Sequence, residues 1–136
     1  MKRLLPLFAL PFLLVACTRE NNNGTGDCSK AICTLEFRYI QTSVMYKNGD
    51  TVILDKYYTI NTNTGDTIQD NNAGLYPEGS YTVLTDNYTN KMFNKTYNFR
   101  FIGILNNVIV VDEPFAISAD CCHISKVSGN QSIVID

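Results

Sequence analysis

The chain has 136 residues, with 11 Lys and Arg, 13 Asp and Glu and one histidine, for a net charge of −2 at pH 7. That length suits a single domain. The mildly acidic balance, without any basic cluster, excludes an electrostatic attraction to nucleic acid or anionic lipid.

Lys2 and Arg3 open the chain, followed by an apolar run from Leu4 to Leu14 broken by Pro6 and Pro11. The run matches a signal-peptide core and is shorter than the roughly 20 residues that span a bilayer. It ends at Leu14-Val15-Ala16-Cys17. This stretch resembles the lipobox of bacterial lipoproteins. The resemblance implies cleavage between Ala16 and Cys17, a diacylglyceryl group on the Cys17 thiol and fatty acylation of the new amine. Two or three acyl chains hold a protein firmly on a membrane where one does not, because each buried methylene contributes about 0.8 kcal/mol. The expected organisation is therefore a signal peptide over 1–16, a flexible tether over 17–27 and a folded domain over 28–136. The same resemblance implies a bacterial envelope protein, lipid-anchored at Cys17 on the periplasmic or surface face of the outer membrane.

Without the leader, nine basic and thirteen acidic residues leave a net charge of −4. The segment Thr18 to Asp27 has no apolar residue and is rich in Asn and Gly, the composition of a solvated linker. Four cysteines follow it: Cys28, Cys33, Cys121 and Cys122. An even count in an exported chain reads as two disulfides. Neighbouring cysteines rarely bridge each other, so Cys121 and Cys122 are expected to pair with Cys28 and Cys33. Cys33 with Cys121 suits the strand phases, but a one-residue register error swaps the partners, and both pairings stay open.

Beyond Cys28 the dominant pattern is alternation. Cys33, Leu35, Phe37 and Tyr39 read as the inward face of a first strand. The apolar phase then moves to Ile40, Val44 and Tyr46, which predicts a bulge near Ile40 and Gln41. Asn48-Gly49 predicts a hairpin turn, Val52 to Ile60 a strand, Thr64-Gly65-Asp66 a turn, and Thr67-Ile68 a short strand. Ser80 to Thr85 is a strand, Asp86 to Asn94 a polar turn region, and Thr96 to Leu105 a strand. Asn106-Asn107 turns into Val108 to Val111. Phe115 to His123 alternates again, and Ser128-Gly129-Asn130 leads to a closing strand at Ile133 to Ile135. No segment has a helical period. The expected fold is an all-β, disulfide-stapled antiparallel sandwich of seven to eight strands.

Two stretches, Tyr46-Lys47-Asn48-Gly49-Asp50-Thr51-Val52 and Leu75-Tyr76-Pro77-Glu78-Gly79-Ser80-Tyr81-Thr82-Val83, are similar to strands of prealbumin-like and immunoglobulin-like repeats. The likeness covers about half the domain and departs after Asp86. It implies an accessory sandwich, with Gly79 in a turn and Tyr81 and Val83 facing the core. The whole is also similar to small envelope lipoproteins of Gram-negative bacteria.

No catalytic residue, metal or cofactor is expected. His123 lies beside Cys121 and Cys122, and a thiol-dependent enzyme at these three residues is the catalytic alternative. Zinc on the same cluster conflicts with oxidising conditions. Asp66, Asp70, Asn71 and Asn72 offer oxygen ligands for calcium but lack EF-hand spacing. Tyrosines such as Tyr57 and Tyr58, together with many Asn residues, suit a glycan-binding face. Thr51 and Thr67 follow Asp and precede an apolar residue, the acceptor pattern of O-glycosylation in one group of Gram-negative bacteria. The leading expectation is a membrane-anchored binding or structural module, with a glycan or envelope protein as partner and no nucleic acid. The alternative is an inhibitor or immunity-type lipoprotein that binds a protein through an edge strand.

Overall fold

The computed structural model describes residues 27–69 and 77–136. Cys17, the signal peptide and nearly all of the tether lie outside the described residues, as do Leu75, Tyr76 and the calcium-type residues Asp70, Asn71 and Asn72.

The fold is all-β, with eight strands in two sheets and two disulfides. The strands are β1 (Tyr39–Tyr46), β2 (Lys56–Asn61), β3 (Thr67–Ile68), β4 (Ser80–Thr85), β5 (Lys95–Leu105), β6 (Val108–Ala119), β7 (Ile124–Ser128) and β8 (Ser132–Ile135). One sheet has the order β4-β1-β8 and the other β3-β2-β5-β6-β7. Every pairing is antiparallel except β1 with β8, which run parallel. A hydrophobic pattern fixes which face of a strand is buried, but it does not fix the strand's direction, so the parallel pair was not legible.

Each sheet turns its apolar phase inward. Val44, Tyr81 and Val83 meet Phe99, Phe101, Phe115 and Ile117, all buried. The Tyr81 hydroxyl donates to the Val52 carbonyl at 2.7 Å and accepts from the Leu54 N–H at 2.8 Å. That pair of bonds lets Val52 and Leu54 fill the core without belonging to a strand. The expected strand from Val52 is accordingly shorter, starting at Lys56. Gly79 takes φ +76°, and a Cβ there would sit 2.2 Å from Thr51 Cγ2, so the turn before β4 admits only glycine. The ladder of β1 and β4 shifts register between Ile40 and Gln41, where the change of apolar phase placed the bulge.

Two predicted strands fuse. β6 runs unbroken from Val108 to Ala119 and contains Pro114. Its neighbour β7 covers only Ala116 to Ala119, so Pro114 stands beyond the reach of that partner and its missing N–H costs no ladder bond. Asn106 and Asn107, at φ +51° and +62°, form the tight hairpin between β5 and β6.

The first predicted strand is displaced. Residues 33–38 belong to neither sheet, with a bend at Leu35, and β1 begins only at Tyr39. Leu35, Phe37 and Tyr39 are exposed rather than inward, Leu35 completely so. Alternation reports an extended chain; it does not supply a layer to bury against.

The bridges are Cys28–Cys121 and Cys33–Cys122. Of the two pairings left open by the sequence, this is the one that the strand phases disfavoured. Cys121 and Cys122 lie in a bend after β6, so strand phase does not govern them. Sequence separations of 93 and 89 make the two loops nearly coincident. In the chain-entropy model the first bridge closes the long loop for about 4–5 kcal/mol, and the second closes only the short remaining circuit for about 2 kcal/mol. Replacing Cys28 and Cys121 together by Ala should therefore cost about 2 kcal/mol, and replacing all four cysteines about 7 kcal/mol. Urea unfolding of the three proteins checks this non-additivity.

Candidate functional site

The residues that the sequence singled out at Cys121, Cys122 and His123 do come together with the amino-terminal segment, but through groups that it had not weighted. Asp120 starts the bend: its carboxylate accepts the N–H groups of Cys122 at 2.6 Å and His123 at 2.7 Å. These two bonds, acting against desolvation, hold its pKa below the usual 3.8. The bend turns the His123 ring inward, where it is buried. Ring Nδ1 lies 2.8 Å from Asp86 Oδ2, and ring Nε2 lies 3.0 Å from Thr34 Oγ1.

Asp86 opens the 3-10 helix Asp86–Lys91 that follows β4. Its carboxylate also accepts the N–H of Arg38 at 2.7 Å and that of Ile124 at 2.8 Å. Burial opposes its charge. The His123 ring and the two backbone N–H groups outweigh burial and keep the pKa below the ordinary carboxylate value. An ionised Asp86 can only accept. His123 Nδ1 therefore donates to it, and ring Nε2 faces the Thr34 hydroxyl. The bridge Cys33–Cys122 joins the residue before Thr34 to the residue before His123, which fixes the two side chains relative to each other.

This is a hydroxyl, an imidazole and a carboxylate in series. Both sulfurs beside His123 are in disulfides, so neither Cys121 nor Cys122 offers a thiolate in this state. Among the described residues no group of His, Cys, Asp and Glu is placed to hold a metal ion.

A second feature is a cleft of about 390 Å³ where β2 and β3 of one sheet approach β4 and the 3-10 helix. Tyr57, Tyr58 and Tyr88 line it with Gln69, Asn87 and Lys91. Tyr57 leans edge-on against Tyr81, with ring centroids 4.9 Å apart, and is half-buried like Tyr58. Tyr88 is fixed by its hydroxyl, which donates to Asp66 at 2.9 Å and accepts from Asn61 at 3.1 Å. Lys91 Nζ sits 4.9 Å from the centre of that ring. Thr51 and Thr67 are both exposed, as an O-linked modification requires.

Asp86 and Thr34 were not identifiable from sequence. Asp86 reads as one more polar residue in a turn region, and its partners lie 37 to 48 residues away. The regularity of Tyr88 and Met92, buried four residues apart, was the one signal that the turn region packs.

No protein-family model matches the chain, and no curated protein or solved structure gives a significant match.

Asp86→Asn removes the charge that three donors and burial surround. It should cost roughly 2–4 kcal/mol at neutral pH, measured by urea unfolding of the oxidised protein. Because the native pKa values of Asp86 and Asp120 are depressed, their contribution is complete above the usual 3.8 and is lost as pH falls through the lower native values. The gap between wild type and Asp86→Asn should therefore close on acidification below that point.

Proposed function

We propose that this chain is a lipid-anchored envelope lipoprotein whose sandwich serves as a binding module without catalytic chemistry, and that glycans are the class of ligand. Cys17 supplies the anchor, and the two bridges suit an oxidising compartment. The observation that carries the reading is the open cleft lined by three tyrosines and the amides of Gln69 and Asn87. Aromatic faces stack on the apolar faces of sugars, and amides exchange hydrogen bonds with hydroxyl groups, which is the mixture such a ligand needs. Tyr88 is held rigidly by Asn61 and Asp66, so little order is lost there on binding. The glycan is a saccharide of the envelope that carries the protein.

A glycan array probed with the protein from Cys28 onward tests this. Tyr58→Ala should weaken binding by about tenfold or more, the scale of one lost ring contact, while leaving the unfolding transition in place. Binding that is indifferent to Tyr58 and Lys91 removes the cleft as the site.

One observation favours a second reading. Thr34 Oγ1, His123 Nε2, His123 Nδ1 and Asp86 Oδ2 stand in the order that serves nucleophilic catalysis. In that reading Thr34 attacks an acyl carbon, His123 takes its proton at Nε2 and passes it to the leaving group as the acyl bond to that group breaks, and Asp86 orients the ring. A fluorophosphonate should then label wild type at Thr34, spare Thr34→Ala and label Thr34→Ser. An unlabelled wild type eliminates this reading.

A further inference from the structure

We infer that the disulfide end of the sandwich is a membrane-docking face, on which exposed apolar side chains of the segment before β1 enter the bilayer that holds the anchor. The inference rests on the reading of Cys17 as lipidated.

Exposed large apolar residues gather at this end. Ile32 is 97% exposed and Leu35 is 105% exposed, with Phe37 and Tyr39 about half exposed. Phe93, also exposed, precedes Asn94, whose side-chain nitrogen lies within 4 Å of the sulfurs of Cys28 and Cys121. An apolar segment held away from any sheet is unusual, because it leaves its hydrophobic surface in water. Here it is held rigidly. Cys28 and Cys33 are bridged, Thr34 bonds to His123, and the Arg38 N–H bonds to Asp86. The side chains are presented, not left to collapse onto the core.

The tether names the occupant. Ten residues separate Cys17 from Cys28. A linker of that composition has a root-mean-square span of roughly 18 Å and reaches at most roughly 35 Å. The first folded residue past it is Cys28, at the same end as Ile32, Leu35 and Phe93. A lipidated chain therefore keeps this end within a short linker's reach of the bilayer, at a high effective concentration. The hairpin at Asn106 and Asn107 lies at the other end of the eleven-residue strand β5, on the order of 30 Å away.

The chain contains no tryptophan, so an introduced one reports alone. Leu35→Trp and Val108→Trp both change exposed positions, one at each end. The full lipidated proteins are reconstituted into vesicles of phosphatidylethanolamine and phosphatidylglycerol. Both should float with the vesicles. Leu35→Trp should emit at shorter wavelength than its unlipidated Cys17→Ser counterpart, and lipids brominated on their acyl chains should quench it severalfold. Val108→Trp should show neither effect. If the proteins float and Leu35→Trp keeps a water-like emission, the docking face is overturned while the anchor stands. A blue shift that brominated lipid does not quench overturns it in favour of a protein partner, such as a second copy. If neither protein floats, the anchor reading falls and takes the docking face with it.

Discussion

The Asp86 carboxylate is the joint on which this sandwich closes. It sits at the end of β4, in the smaller sheet, yet it accepts from Ile124 at the start of β7, in the larger one. It also accepts from Arg38, just before β1, and from the ring of His123. One charge thus ties the paired ends of β1 and β4 to the start of β7 in the other sheet. The bend at Asp120 and the two bridges prepare the partners, and the carboxylate satisfies them. Buried polar groups of this kind are costly when half-paired and stabilising only when complete. That makes the end of the sandwich an all-or-none assembly.

The two ends of the molecule differ in the kind of bond that holds them. At the hairpin of Asn106 and Asn107 the structure is ordinary sheet, shaped by positive φ and cross-strand pairing. At the disulfide end, covalent bridges and side-chain bonds replace the ladder. The amino-terminal segment can therefore remain apolar and exposed without being part of a sheet. The tyrosine-lined cleft is built in neither way. It lies where the sheets separate beside the 3-10 helix, and Tyr88 takes part in both the helix and the cleft wall.

Local signals in the sequence carried most of the fold. The bulge at Ile40, the turns at Gly49, Gly65 and Gly79, the span of β4 and the short β3 follow from alternation and turn chemistry, which act over a few residues. Misreadings arose where a long-range partner decides the outcome. Leu35 alternates correctly but has no sheet to join. Val108 to Val111 and the stretch from Phe115 read as two strands, whereas pairing with β5 carries both in one. The direction of β8 depends on β1, some ninety residues earlier. The candidate site follows the same division. His123 and the four cysteines stood out by residue type, whereas Thr34 and Asp86 carry no mark except their position in the folded chain.

The pairing of the bridges also has a mechanical consequence. Tension applied between the amino-terminal side of Cys28 and the last residue enters the domain at Cys28 and crosses directly to Cys121 through sulfur. The covalent path bypasses the residues enclosed by the loop, which feel the load only where β7 and β8 pair with β6 and β1. Of these, β8 runs parallel to β1 and must shear along it before it yields. Most of the sandwich, the cleft included, would therefore keep its shape until the final strand shears free.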